Sequence, residues 1–91
     1  MEESTFHIKV TGKVQGVYYR QTCKSTAIHI GITGTVWNNP DGSVEIYATG
    51  TPYQVEQFII WCKTGPARCK VATVEITDAA FDNFATFSIK K

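Results

Sequence analysis

The chain has almost no excess of charge of either sign. Its 91 residues carry nine Lys and Arg against eight Asp and Glu, a formal net charge of +1. That excludes broad binding to nucleic acid or to an anionic membrane surface, which needs a basic face, but it leaves room for one local positive pocket. Long apolar runs are missing too. The longest, Phe58-Ile59-Ile60-Trp61-Cys62, is far too short to span a bilayer. Glu2 and Glu3, with no apolar stretch behind them, argue against a signal peptide. Cysteine is sparse: Cys23, Cys62 and Cys69 form an odd set with no C-x-x-C pair, as expected of reduced thiols in a cytoplasmic protein. Cys23 and Cys62 fall on apolar helix faces, where a thiol serves as a small buried hydrophobe. Cys69 has only Arg68 and Lys70 beside it and is expected to be unreactive. There is no H-E-x-x-H, no aspartate pair at metal-ligand spacing and no Walker lysine motif. Neither a metal nor a cofactor is therefore expected.

What is present suits one ordinary globular domain covering residues 1–91. Hydrophobic residues make up 43% and charged residues 19%, enough for one core without disulfides or metals, though with little to spare. Thr5 to Thr11 alternates, with Phe6, Ile8 and Val10 on one face and His7 and Lys9 on the other, which predicts a half-buried strand. From about Tyr19 to Ile30 the pattern is helical, with Cys23, Ala27 and Ile30 spaced i, i+4, i+7 and Gly31 as a stop. Thr35 to Asn38 reads as a strand. Asn39-Pro40-Asp41-Gly42 is turn chemistry, and Val44, Ile46 and Ala48 then alternate with Glu45, Tyr47 and Thr49, which predicts a hairpin. Thr51, Pro52 and Gln54 form a capping signal for a helix over about 52–64, with Val55, Phe58, Ile59 and Cys62 inward and Gly65-Pro66 as its end. Residues 70–77 alternate again, with Ala72, Val74 and Ile76 on one face. Asp78 to Asn83 reads as a polar connection. Phe84 to Lys90 reads as a last strand with Ala85, Phe87 and Ile89 inward. This order gives an α+β fold on the ferredoxin-like, split βαβ plan: an antiparallel sheet with two helices on one face.

That plan hosts RNA binders, metal carriers and enzymes alike, so the site must decide. The informative stretch is Val10-Thr-Gly-Lys-Val-Gln-Gly-Val-Tyr-Tyr-Arg20. Gly12 and Gly16 let the backbone curl so that successive N–H groups converge. The helix that follows adds its positive end, and Arg20 adds a forked, permanent cation. The combination describes a cradle for a small, highly charged anion, a phosphoryl group above all. Asn38, at the end of the next strand, is placed to share a pocket with Arg20 at one corner of the sheet. Each residue also has a plainer reading. An arginine near a helix start is often a surface charge, and an asparagine near a turn is usually structural. For Asn38 alone the plain reading wins; its conjunction with Gln15, Gly16 and Arg20 reverses the odds. His7 and His29 have no partners in the sequence and read as surface residues, Asp41 as a turn residue, and Asp78 and Asp82 as solvated.

Residues Val10 to Arg20 resemble the first signature of the acylphosphatases, V-x-G-x-V-Q-G-V-x-aromatic-R, a specific pattern because many positions are constrained together. Gly34 to Gly50 resembles the second, Gly65-Pro66-Ala67 is also familiar from that family, and the resemblance covers essentially the whole chain. Tyr19 stands where the family usually has Phe, Thr35 where an aromatic is common, and Trp37 where Lys, Arg or Gln is more usual. None removes a functional group; Thr35 and Trp37 are expected to alter packing or the pocket rim. The resemblance implies metal-independent hydrolysis of small acyl phosphates to a carboxylate and inorganic phosphate. By the same resemblance, Gly12, Lys13, Val14, Gln15, Gly16 and Val17 bind phosphate through backbone N–H groups together with Arg20, and Asn38 positions the attacking water. Gln15 supports the loop and Ser43 the asparagine strand. The expected partners are the acyl phosphate and its phosphate product, with no nucleic acid, no membrane and a monomeric state. Two alternatives have the same topology: a carbamoyl-phosphate-handling or regulatory phosphate-binding domain, and an RNA-binding module. Tyr47 suits the latter, but its R/K-G-aromatic-G/A-aromatic pattern is missing.

Overall fold

The computed structural model describes residues 2–90, which form seven elements in chain order. These are β1 (Ser4–Lys13), α1 (Tyr19–Ile30), β2 (Thr33–Asn38), β3 (Val44–Gly50), α2 (Pro52–Thr64), β4 (Lys70–Ala79) and β5 (Phe87–Ile89). Met1 and Lys91, the two ends of the expected domain, lie outside the described residues. The sheet order is β4-β1-β3-β2-β5. Both helices cover one face. Ile8, Val10, Val36, Val44, Ile46 and Ala48 from the strands meet Tyr19, Cys23 and Ala27 of α1 and Val55, Phe58 and Cys62 of α2. The ferredoxin-like α+β plan read from the pattern is the plan observed.

Three details differ from the sequence reading. First, β1 runs past Thr11: Gly12 and Lys13 pair with Val71 and Lys70 of β4, and the register slips between Thr11 and Gly12, leaving Ala72 as the extra residue of a bulge. Gly12 is required there by close approach. At φ 120°, a Cβ would lie 2.1 Å from the Lys70 carbonyl oxygen. Second, the bulge breaks the alternation of β4. Val71 and Val74 pack against the core, whereas Ala72 is exposed. Ile76 lies opposite Ile8 but stays 39% exposed, because β4 is an edge strand and the helices do not close over it. Third, the last strand is shorter than expected, and Ala85 is exposed. β5 pairs in parallel with β2, so the sheet is antiparallel only across its other four strands.

The chain reaches β5 by crossing the helix-free face of the sheet. There the hydroxyls of Thr5 and Thr49 sit 3.4 and 2.9 Å from the Asp82 carbonyl oxygen, and the Asp82 N–H donates to Thr5 Oγ1 at 2.9 Å. The Asp82 backbone is thereby fixed while the residue itself remains exposed, as expected.

Helix α2 begins as its sequence requires: the Thr51 N–H donates to Gln54 Oε1 at 2.9 Å and the Gln54 N–H to Thr51 Oγ1 at 3.4 Å. Helix α1 begins differently. Its N-cap, Tyr18, is left-handed at φ 64°, makes no side-chain cap, and is followed by no acidic residue in the first turn. The positive end of α1 is therefore left uncompensated by the chain.

Candidate active site

A cavity of about 410 Å³ opens at the corner where the β1–α1 loop, the first turn of α1 and the ends of β2 and β5 meet. Its floor is the loop Val14-Gln15-Gly16. One wall comes from α1 and its cap through Tyr18, Tyr19, Arg20 and Gln21; Asn38 and Ile89 complete it. Gly16 is left-handed at φ 74° with open space around it, so a side chain there is opposed by backbone conformation rather than by neighbours. The amides of residues 14–18 donate to no backbone carbonyl among the described residues, and the first helical bond of α1 runs from Thr22 N–H to Tyr18 O. The N-terminal amides of α1 are orphaned in the ordinary way of helix ends. The cavity is thus bordered by backbone donors that the protein itself leaves unused.

Two side chains face this cavity with their polar groups unmatched. Arg20 is half-buried and forms no ion pair among the described residues, where the ion pairs are His7–Glu45 and Lys9–Asp41. Asn38 ends β2, and its Oδ1 is buried without a hydrogen-bond partner. Leaving such an acceptor unsatisfied costs about 1–3 kcal/mol, which a water or ligand in the cavity relieves. Gly12, Lys13 and Val17 do not line the cavity. The first two belong to the β1–β4 ladder and Val17 is buried in the core. Conversely, Tyr18, Tyr19, Gln21 and Ile89 line it without having been singled out. Tyr18 and Tyr19 were signalled by their place in the motif and Gln21 only by following it, whereas Ile89 arrives through a parallel pairing with no local signature.

Neighbouring hydrogen bonds fix the loop and the strand end relative to each other. Gln15 Nε2 donates to the carbonyl oxygens of Asn39 and Ser43, each at 2.8 Å. The Asn39 carboxamide accepts from Trp37 Nε1 at 3.0 Å and donates to Ser43 Oγ at 2.9 Å and to Glu45. The other oxygen of Glu45 lies 2.5 Å from His7 Nε2. His7 therefore has a partner after all, one that only the β1–β3 register brings near. Asp41 Oδ1 accepts from the Ser43 N–H at 2.9 Å and from its hydroxyl at 2.6 Å. Those bonds, with Lys9 3.4 Å away, hold the Asp41 carboxyl below the usual carboxylate range. Thr35 and Trp37 lie on the helix-free face and line no part of the cavity. The Trp37 ring is 5.5 Å from that of Tyr47, with Lys90 Nζ 5.4 Å above it. No group of three or more His, Cys, Asp or Glu side chains comes together among the described residues.

A two-helix, ferredoxin-like sandwich with an unpaired arginine, unused loop amides and a buried, unpartnered carboxamide oxygen at one corner defines a protein suited to handling a small anion. Residues 6–89 match the family model for Acylphosphatase. The chain is 45% identical over 87 residues to an acylphosphatase of Marinobacter nauticus, covering 86% of this chain and 95% of that one. Its fold is similar to those of two solved structures. An acylphosphatase from Coxiella burnetii superposes with a TM-score of 0.93 at 30% identity, over 97% of this chain and 93% of that one. An acylphosphatase from Bacillus subtilis superposes with a TM-score of 0.93 at 31% identity, over 99% and 100%. The chain belongs to the acylphosphatase family, and by family and fold it is a hydrolase of acyl phosphates.

Proposed function

We propose that Arg20 and the unused amides of Val14, Gln15, Gly16 and Tyr18 hold the phosphoryl group of a small acyl phosphate, while Asn38 orients the attacking water. One observation carries this reading: Arg20 and Asn38, from different elements, line one cavity with the loop, each with its polar group unmatched. Gly12 and Lys13 serve the reaction indirectly, by ending β1 where the loop must start.

The chemistry asks for little more. The oxygen of water attacks phosphorus, the bond from phosphorus to the acyl oxygen breaks, and the carboxylate leaves with the electron pair. Both protons of the water end on the phosphate product. A carboxylate, whose conjugate acid has a pKa of about 4, departs without general-acid help. The phosphoryl transition state is loose, so the water needs orientation more than a strong base. What lowers the barrier is charge collected on the equatorial oxygens and water held in line. A guanidinium fork and amide N–H groups do the first; a carboxamide with donor and acceptor ends does the second. No step calls for a metal. Nor does the reading include a nucleic-acid partner, because the carboxylate of Glu45 sits within the His7–Trp37–Tyr47 cluster and repels phosphates from it. With its free thiols, the protein is read as a cytoplasmic monomer acting as one domain.

Benzoyl phosphate hydrolysis, with and without EDTA, tests this assignment. Wild type turns over equally in both. Arg20→Ala loses measurable turnover, and Arg20→Lys, which keeps the charge but not the fork, is severely impaired. Turnover abolished by EDTA, or an active Arg20→Ala, overturns the assignment.

A further inference from the structure

We infer that Glu45, on the face of the sheet away from the helices, is a positioning residue for the reaction. Through the Asn39 carboxamide it holds the end of β2, so that Asn38 presents its own carboxamide to the attacking water. The inference rests on the reading of Asn38 above and extends it to the opposite side of the sheet. Asn38 is the last residue of β2, and the chain turns away directly after it. Successive strand residues face opposite ways, so Asn38 borders the cavity while Asn39 joins Trp37 and Glu45 on the helix-free face. There Trp37 Nε1 donates to Asn39 Oδ1 at 3.0 Å, and Asn39 Nδ2 donates to Ser43 Oγ at 2.9 Å and to Glu45 Oε2. An indole nitrogen can only donate, which fixes the way round the carboxamide sits. The Asn39 N–H donates to the Ser43 carbonyl oxygen at 2.9 Å, and its own carbonyl oxygen accepts from Gln15 Nε2. Every polar group of Asn39 is engaged, whereas Oδ1 of its neighbour Asn38 is buried without a partner.

Glu45 is committed to this task by its surroundings. It stands opposite Lys9 in the β1–β3 register and opposite Trp37 in the β2–β3 register. A half-buried carboxylate in a sheet ordinarily settles on the cation directly across. Lys9 lies 3.4 Å from Asp41 instead, and no Lys or Arg pairs with Glu45 among the described residues. One Glu45 oxygen meets His7 Nε2 at 2.5 Å, and the other meets Asn39. The His7 ring in turn lies 5.1 Å from that of Tyr47 and 6.4 Å from that of Trp37. The carboxylate is thereby aimed at Asn39. Truncating it leaves an Asn39 N–H unmatched and the end of β2 free to shift, and a misplacement of about 1 Å in such a site can cost about 10²-fold in rate.

The test is steady-state hydrolysis of benzoyl phosphate by Glu45→Ala and Glu45→Gln, and by Glu45→Ala combined with Asn38→Ala. Glu45→Ala lowers kcat about tenfold and leaves KM within about twofold, because Arg20 and the loop amides keep their hold on phosphate. Glu45→Gln retains an acceptor for Asn39 and recovers kcat to within about threefold of wild type. In the Asn38→Ala background, Glu45→Ala costs nothing further, since no side chain is left to position. Glu45→Thr, which suits a strand but is too short to reach Asn39, carries the same expectations should the alanine variant fold poorly. A kcat unchanged in Glu45→Ala and Glu45→Thr overturns the inference. So does a loss that Glu45→Gln shares in full, one carried by KM rather than kcat, or one that persists undiminished in the Asn38→Ala background. Failure of the underlying site reading looks different: Asn38→Ala alone then keeps a normal kcat, and the positioning role falls with it.

Discussion

At the scale of single residues, the unpartnered carboxamide oxygen of Asn38 says most about the chemistry. A folded protein seldom buries an acceptor without a hydrogen to satisfy it, and this one borders the cavity that holds Arg20. Replacing Asn38 with Ala should lower kcat for benzoyl phosphate by about 10²–10³-fold, the range seen when one positioned donor or acceptor is deleted from such a site, with much less change in KM. Steady-state kinetics decide this, and a normal kcat would remove Asn38 from the water-orienting role. Much of this scale was legible in the sequence. Arg20, Gly16 and Asn38 stand out because few structural demands place those residue types together. Gly12 and Lys13 lie outside the cavity because they pair with Val71 and Lys70, in a strand almost sixty residues away. The Glu45 partner of His7 was hidden for the same reason: registers between strands leave no mark at either residue.

At the scale of elements, local signals read correctly and long-range ones did not. Both helices are where their apolar stripes and glycine stops put them, with a capping box besides at the start of α2, because a helix is specified by neighbours within a turn or two. The start of α2 shows how much depends on few atoms, since Thr51 and Gln54 satisfy each other's amides. Thr51→Ala should destabilise the protein by about 1 kcal/mol, with a fall in Tm of about 4–8 °C, measured by thermal or urea unfolding. An unchanged midpoint would mean the cap contributes nothing. The strands fared worse where alternation alone was available. The bulge at Ala72 shifts the phase of β4 partway along, and Phe84 and Ala85 lie ahead of the β2–β5 ladder, which begins with the Gly34 N–H donating to the Thr86 carbonyl oxygen. The Gln15 side chain, bridging to Asn39 and Ser43, was read from the sequence as loop support, and the structure gives it that function.

At the scale of the whole molecule, titration of the core sets the limits of stability. Burial pushes the Cys62 thiol up to about 12 and raises Cys23 and the Tyr19 hydroxyl well above their ordinary values; Tyr19 donates instead to the Cys62 carbonyl oxygen at 2.8 Å. For groups raised on folding, stability is complete below the unfolded pKa values, near 9 for the thiols and 10 for the phenol. It is lost as pH climbs toward the folded values, because the unfolded chain then releases protons that the native one retains. Melting temperatures followed by circular dichroism should fall progressively from pH 8.5 to about 11, and a flat profile would contradict the burial of these groups. Asp41 acts in the opposite sense: its lowered pKa adds stability above the ordinary carboxylate range of about 4, lost as pH falls through the folded value. The placement of Ile89 has a consequence for biosynthesis. Most of the cavity is contributed by residues 14–38, but one wall is delivered by a strand at the far end of the chain. In a growing polypeptide the substrate chamber therefore stays unfinished until the strand carrying Ile89 has been made and has docked on β2.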